Sequence, residues 1–142
     1  MTIAAILRTK GSDTVTLPPS ASVAAAVALL AERRIGAVPV VEGDRVVGIF
    51  SERDVIYCMA AKGAAALDLP VGEVMTAPAR TVEPDEPVLG ALSLMTRRRI
   101  RHLPVVEGGR LVGFVSIGDL VKHRMDRIEE EAEAMRSYIQ SA

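Results

Sequence analysis

Two stretches of the chain carry apolar residues at helical spacing. Four apolar positions in each stretch follow the i, i+3, i+4, i+7 pattern of one helix face: Val23, Ala26, Val27 and Leu30, and then Val88, Ala91, Leu92 and Met95. Ser20 or Ser22 precedes the first stretch as a candidate N-cap, and Pro87 stands at the start of the second. The pattern therefore predicts one amphipathic helix in each half of the chain.

Each predicted helix is followed by two runs rich in β-branched residues. Residues 37–41 and 45–50 flank a short turn at 42–44 (Glu-Gly-Asp), and the same arrangement returns around residues 107–109 (Glu-Gly-Gly). Such runs around a glycine-containing turn are typical of a β-hairpin. A short β-like run at residues 14–17 precedes the first helix, and a further helix start follows each hairpin. One unit is therefore predicted to be β-α-β-β-α.

The chain contains this unit twice. Residues 15–56 recur as residues 80–121, at an offset of 65 positions, which is the difference between Pro39 and Pro104. An internal repeat of this kind decides the architecture. The sequence predicts an α/β (α+β) fold made of three parts: a first unit at residues 1–66, a second unit at residues 67–125, and a C-terminal helix extension at residues 126–142.

The C-terminal part departs from the repeat. From Ile117 a helical pattern continues to about Gln140, and its apolar residues are spaced 4, 3, 4, 3 and 4 positions apart: Val121, Met125, Ile128, Ala132, Met135 and Ile139. This is a heptad seam, although it is shorter than three heptads. Two interpretations remain open: the helix packs on its own unit, or it forms the contact of a homodimer.

Composition and charge exclude several classes of protein. The 142 residues are 49% apolar, enough for two small units that share an aliphatic core. A net charge of −1 argues against nucleic acid as a partner. Cys58 is the single cysteine, so neither a disulfide framework nor a metal site is expected. No apolar run is long enough to cross a bilayer, and the N-terminus does not resemble a secretory signal. A soluble cytoplasmic protein is predicted.

The string Gly-x-x-Ser-x-x-Asp occurs once in each unit. It places Ser51 and Asp54, and then Ser116 and Asp119, where a strand ends and a helix begins. The free N–H groups and the dipole of a helix N-terminus attract an anion, and a carboxylate suits a pair of vicinal hydroxyls. The same residues also form an ordinary helix cap that needs no ligand. Both interpretations, the cap and the ribose-phosphate site, remain open on these residues alone.

The order and duplication of these motifs resemble the CBS domain, the module named after cystathionine β-synthase. The β-α-β-β-α unit, the Pro-Val-Val-Glu-Gly hairpin and the Gly-x-x-Ser-x-x-Asp ending carry the resemblance, which covers residues 1 to about 125. It implies a CBS pair, or Bateman module, in which two units pack with pseudo-twofold symmetry and form two clefts. In many members such clefts bind an adenosine-containing ligand: AMP, ADP, ATP or NAD(H), with S-adenosylmethionine less expected here.

The resemblance also implies which residues form the two clefts. Cleft 1 would place phosphate and ribose on Ser116 and Asp119, with Phe114 and His102 nearby, and adenine on Val15, Ile35 and Gly36. Cleft 2 would use Ser51 and Asp54 with Ile49 and Ala37, and its adenine would lie against Ala79, Arg80, Ile100 and Arg101.

The two clefts are not expected to bind alike. Gly36-Ala37 of the first repeat corresponds to Arg101-His102 of the second, whose basic side chains suit a phosphate tail. Lys10 lies in a three-residue extension of the first copy and suits the same role in cleft 1. The run at residues 97–99 (Arg-Arg-Arg) either caps a solvated helix end or contacts a phosphate tail.

The predicted function is that of a regulatory module, not an enzyme. No nucleophile–base pair and no pair of acids converges in the sequence, so neither a catalytic residue nor a catalytic cofactor is expected. The module would bind its adenosine ligand and signal by a shape change to a protein partner that the sequence does not identify, and it is expected to form a homodimer. The alternative is an interaction or scaffold module that assembles through its helices without a ligand.

Overall fold

A computed structural model of the chain describes residues 1–11 and 13–141; Ser12 of the three-residue extension and Ala142 lie outside this part. The elements in chain order are α1 (Ile3–Lys10), α2 (Val23–Arg33), β1 (Ala37–Glu42), β2 (Arg45–Ser51), α3 (Glu52–Lys62), a 3-10 helix (Gly63–Asp68), α4 (Val71–Val74), α5 (Val88–Arg98), β3 (His102–Glu107), β4 (Arg110–Ser116) and α6 (Ile117–Ser141). The predicted fold class is confirmed, because two hairpin units with their helices are followed by a long C-terminal helix.

The two hairpins have the same register. Ala37 pairs with Ser51 in the first hairpin, and His102 pairs with Ser116 in the second, each at the offset of 65 positions. Both β1 and β3 carry a bulge directly after their central valine. The turns require positive φ, which Gly43 and Gly108 supply at 65° and 60°. The duplicated sequence thus produces duplicated local structure down to the irregularities.

The predicted first strand of each unit is reduced to a single bridge. Leu17 bridges Val40 in parallel, and Val82 bridges Val105 in the same way. A proline follows each bridging residue within two positions, at Pro18 and at position 84. Because proline lacks an N–H group, it cannot extend the ladder. The observed unit is therefore a bridge, a helix, a hairpin and a second helix.

Two hydrophobic cores form, and each is completed by a helix from the other half of the chain. Ile3 and Ile6 of α1 are buried in the core of the second unit, beside Met95 and Leu120. Val71 of α4 is buried in the core of the first unit. Each short helix packs in the core of the unit that it does not directly precede in sequence. The two units therefore depend on each other for a complete core. The division at residues 66 and 125 remains a prediction.

Two glycines permit the close approach of these exchanged segments. A Cβ at Gly113 would lie 2.5 Å from a methyl carbon of Leu7, and a Cβ at Gly48 would lie 2.5 Å from the sulfur of Met75. The hairpins themselves also touch, because the N–H of Leu111 donates to the carbonyl of Asp44 at 2.8 Å. These contacts hold the two units in the arrangement that forms the clefts.

The C-terminal helix is one continuous element of 25 residues, from Ile117 to Ser141. Its first turn packs on the second unit through Leu120, which is fully buried. The heptad seam is exposed: Val121, Met125, Ile128, Met135 and Ile139 retain 43% to 65% of their accessible surface. Among residues 1–11 and 13–141, no helix combines the length and the apolar character needed to span a bilayer.

Candidate functional site

A cavity of about 370 Å³ lies where the first repeat faces β4 and the start of α6. All eight residues that the sequence assigned to cleft 1 line it: Lys10, Val15, Ile35, Gly36, His102, Phe114, Ser116 and Asp119. Residues that the sequence did not assign to cleft 1 also line it: Gly11, Asp13, Thr14, Arg34 and Ala37. The volume falls within the ordinary range of small-molecule pockets.

The polar end of cleft 1 is built at the junction of β4 and α6. The N–H of Ser116 donates to Oδ2 of Asp119 at 2.8 Å, and the N–H of Asp119 donates to Oγ of Ser116 at 3.2 Å. This reciprocal pair fixes the first turn of α6 in the manner of a capping box. The cap therefore exists, and it also holds the Asp119 carboxylate at the cavity wall.

Lys10 reaches this carboxylate across the cleft. Its ammonium donates to Oδ2 of Asp119 at 2.7 Å and to the carbonyl of Phe114 at 2.7 Å. Burial raises the pKa of Asp119, but the hydrogen bonds from Lys10 and Ser116 outweigh burial and hold the pKa below its ordinary 3.8. Lys10 and Asp119 therefore form an ion pair at the wall of cleft 1.

His102 forms a wall that the two cavities share. Its ring stacks on Phe114 with centroids 5.7 Å apart and an angle of 12° between the planes. Its other side faces Gly36, where a Cβ would lie 3.2 Å from the imidazole Cε1. Burial lowers the pKa of His102 below 6.5, and Arg101 lowers the pKa further, so the ring is neutral at pH 7.

The second cavity measures about 410 Å³ and corresponds to cleft 2. Six of the eight residues assigned to cleft 2 line it: Ile49, Ser51, Ala79, Arg80, Ile100 and Arg101. The structure places the other two elsewhere, since Ala37 lines cleft 1 and Asp54 is buried with 8% exposure. Three residues assigned to cleft 1 also line this cavity: Gly36, His102 and Ser116. The lining residues that the sequence did not assign to either cleft are Glu52, Arg53, Thr76, Pro78 and Ile117.

Both carboxylate oxygens of Asp54 have protein partners. Oδ2 accepts hydrogen bonds from the N–H and the hydroxyl of Ser51, at 2.9 and 3.1 Å. Oδ1 accepts from the hydroxyl of Thr76 at 2.8 Å. Thr76 is held there by its own backbone, whose N–H donates to the carbonyl of Ile49 at 2.8 Å. Asp54 thus serves as a structural cap and does not face the cavity.

The two clefts differ in charge. Cleft 1 places two cations, Lys10 and Arg34, beside two carboxylates, Asp13 and Asp119. Cleft 2 places three guanidinium groups beside a single carboxylate; these are Arg53, Arg80 and Arg101 with Glu52. Cleft 2 is therefore the more positive of the two.

Other candidate groups lie outside the clefts. Arg97 and Arg98 end α5 as exposed side chains, as expected for a solvated helix end, and neither lines a cleft. Cys58 is a buried free cysteine whose thiol donates to the carbonyl of Val55. In the part of the chain that the structure describes, no three His, Cys, Asp or Glu residues are grouped so as to hold a metal ion.

Two repeated hairpin units, with two cavities that are each lined by both repeats, define a tandem module. The chain belongs to the CBS domain family, whose family model matches residues 5–61 and 71–126. It is thus a tandem CBS pair, as its sequence predicted.

Two curated relatives support this assignment. The CBS domain-containing protein YhcV of Bacillus subtilis is 32% identical over 117 residues, which cover 82% of this chain and 83% of that protein. The mitochondrial CBS domain-containing protein CBSX3 of Arabidopsis thaliana is 37% identical over 120 residues. That match covers 81% of this chain and 58% of the plant protein, so this chain spans less than two thirds of its length.

Solved structures share the fold over most of the chain. A CBS-domain protein of Agrobacterium tumefaciens is 40% identical with a TM-score of 0.82, covering 87% of this chain and 92% of that one. The CBS domain pair of protein MJ0100, solved with 5′-methylthioadenosine and S-adenosyl-L-methionine, is 25% identical with a TM-score of 0.78, covering 89% and 98%. CBSX2, solved with AMP, is 25% identical with a TM-score of 0.76, covering 88% and 96%.

Proposed function

We propose that this CBS pair is a regulatory module that binds adenosine nucleotides, AMP, ADP, ATP or NAD(H), in the clefts between its repeats. The observation that carries the proposal is the cavity of cleft 1, where eight residues from both repeats converge as the ligand site would require. The AMP bound to CBSX2 and the adenosine compounds bound to the MJ0100 pair support this ligand class.

The proposed binding mode assigns each part of the ligand to a part of cleft 1. Adenine packs on the aliphatic side chains of Val15 and Ile35, where van der Waals contact and backbone hydrogen bonds provide recognition. The ribose hydroxyls donate to the carboxylate of Asp119. The phosphate lies near Ser116 and the start of α6, where the free N–H groups and the helix dipole favour an anion.

Signalling would follow from the position of the clefts. Both cavities are lined by residues of both repeats, so a ligand that binds one packing arrangement better than another shifts the population toward it. The shape change would be read by a separate protein partner. We propose no catalytic role and no catalytic cofactor for this module, and a cytoplasmic location remains a prediction.

Titration with nucleotides tests the proposal directly. AMP, ADP, ATP, NAD(H) and S-adenosylmethionine are each added to the purified chain in calorimetry and thermal unfolding. A ligand at 100 times its dissociation constant should stabilise the folded state by about 2.7 kcal/mol, because it binds the native state alone. If none of the five compounds binds or stabilises the protein, the scaffold alternative replaces this proposal.

We also propose that the module is a homodimer that buries the exposed seam of α6. Replacing Ile128 by glutamate should raise the dimer dissociation constant at least about 100-fold, because the dimer would then bury unpaired charges. Sedimentation equilibrium measures this change. Ala134→Glu, on the same helix but off the seam, is the matched control and should leave the dimer intact. A monomeric wild-type chain, or equal effects of both variants, would contradict the assignment.

A further inference from the structure

Equivalent acceptors in the two units are satisfied by different donors. In the first unit the backbone N–H of Thr76 donates to the carbonyl of Ile49, and its hydroxyl donates to Asp54, each at 2.8 Å. In the second unit the corresponding acceptors are the carbonyl of Phe114 and the carboxylate of Asp119. Both accept a hydrogen bond from the single ammonium of Lys10, each at 2.7 Å.

The two donors, Thr76 and Lys10, differ in how easily each can break its hydrogen bond to the aspartate. The backbone of Thr76 is fixed on both sides, because its carbonyl also accepts a hydrogen bond from the N–H of Ile49 at 2.9 Å. Lys10 is the last residue of α1, and its side chain is 39% exposed. A lysine ammonium on its flexible four-carbon stem can move to another acceptor without moving the backbone. The Lys10 ammonium can therefore leave Oδ2 of Asp119 for another acceptor, whereas the residue that donates to Oδ1 of Asp54 is fixed by its backbone.

We infer that Lys10 is a displaceable cation that makes cleft 1 selective for phosphorylated nucleosides over neutral ones. The inference rests on the proposed function and adds a specificity-determining residue to it. A ribose whose two hydroxyls bind both oxygens of Asp119 must displace the Lys10 ammonium from Oδ2. A neutral nucleoside offers that ammonium no anion in return, whereas a nucleotide brings a phosphate that accepts it as a charge-assisted hydrogen bond.

The charges around cleft 1 make this exchange depend on Lys10. Without it, Arg34 would stand alone against Asp13 and Asp119, and the remaining charge would repel a phosphate. With Lys10 present, the two cations of cleft 1 balance its two carboxylates. Burial lowers the pKa of His102, so its ring adds little positive charge to cleft 1 at pH 7. The ammonium of Lys10 is therefore the cation that decides between the two ligand classes.

The test compares AMP with adenosine in calorimetry on the full chain. It follows the binding component that Asp119→Ala weakens, which assigns the signal to cleft 1. In Lys10→Met, adenosine should bind about 2- to 5-fold more tightly, since an exposed ion pair no longer competes. AMP should bind at least about 5-fold more weakly, since a charge-assisted hydrogen bond is lost. The AMP-to-adenosine affinity ratio should therefore fall at least about 10-fold.

Two further variants test whether the change in the affinity ratio is due to the positive charge at position 10. Lys10→Arg retains a cation and should retain most of the wild-type ratio. Lys62→Met removes an exposed charge from the end of α3 and should leave the ratio unchanged. Circular dichroism melting of each variant shows that the fold is intact, and an unfolded Lys10→Met is replaced by Lys10→Gln.

The outcomes separate this inference from the proposed function. If wild-type chain binds AMP or adenosine and Lys10→Met keeps the wild-type ratio, Lys10 does not set selectivity, and the proposed function stands without it. If neither compound binds the wild-type chain, the role of Lys10 is overturned, and the proposed function then depends on binding of ADP, ATP or NAD(H).

Discussion

Replacing Asp119 by alanine should weaken nucleotide binding in cleft 1 about 30-fold and leave cleft 2 unchanged. The carboxylate accepts the ribose hydroxyls in the proposed mode, and loss of these charge-assisted hydrogen bonds costs about 2 kcal/mol. The loss is not larger because Lys10, freed from its ion pair, still attracts the phosphate. Isothermal calorimetry with AMP measures the effect.

A control on the same helix isolates this effect from a change in surface charge. Asp126→Ala removes an exposed carboxylate whose partner is Lys122, at 3.2 Å, and which lies outside both cavities. It should leave AMP affinity unchanged. Equal affinity in wild type and Asp119→Ala would show that the ribose does not lie on Asp119, and the binding mode proposed for cleft 1 would have to be abandoned.

The sequence predicted the local architecture because its signals are local. The turn glycines and the two β-branched runs specify each hairpin within about 15 residues, and both hairpins have identical registers. The apolar spacing specified α2 and α5 in the same way. Because the sequence is repeated, the helix and hairpin predicted for one unit are predicted for the other as well.

The remaining features depend on tertiary contacts that no local pattern specifies. Nothing in residues 3–7 shows that Ile3 and Ile6 complete the core of the second unit and not that of the first. The assignment of cleft residues came from family resemblance, because the two walls of each cavity lie far apart in the chain. The sequence also did not show that Lys10 would bind Asp119 directly, since a lysine in an extension has many possible partners.

The clearest difference between the two units concerns two aspartates at the same position of the repeat. Sequence reasoning treated Asp54 and Asp119 alike, because both end a Gly-x-x-Ser-x-x-Asp string. The structure separates them through the residue that contacts each one. The hydroxyl of Thr76, whose backbone is hydrogen-bonded, contacts Asp54, and the side-chain ammonium of Lys10 contacts Asp119. The repeat therefore conserves the cap, and the neighbouring segments decide which carboxylate is available to a ligand.

Asp54→Ala should consequently destabilise the fold more than it weakens binding. The substitution removes hydrogen bonds to the N–H and hydroxyl of Ser51 and to the hydroxyl of Thr76 around a carboxylate that is 8% exposed. Loss of a helix cap together with part-buried charged hydrogen bonds costs about 2–3 kcal/mol. For a chain of this size that corresponds to a decrease in Tm of about 6–10 °C. Thermal unfolding measured by circular dichroism gives the value.

Asp119→Ala is the matched comparison for this prediction, because it removes the same side chain from the same repeat position. Its Tm should fall by less than half as much, since the Asp119 side chain is 27% exposed and its partner Lys10 is 39% exposed. Thr76→Val should reproduce part of the Asp54→Ala loss, because it removes one of the three donors. A folded Asp54→Ala protein with wild-type Tm and weakened binding in cleft 2 would instead assign Asp54 to the ligand, and the two clefts would then use their aspartates alike.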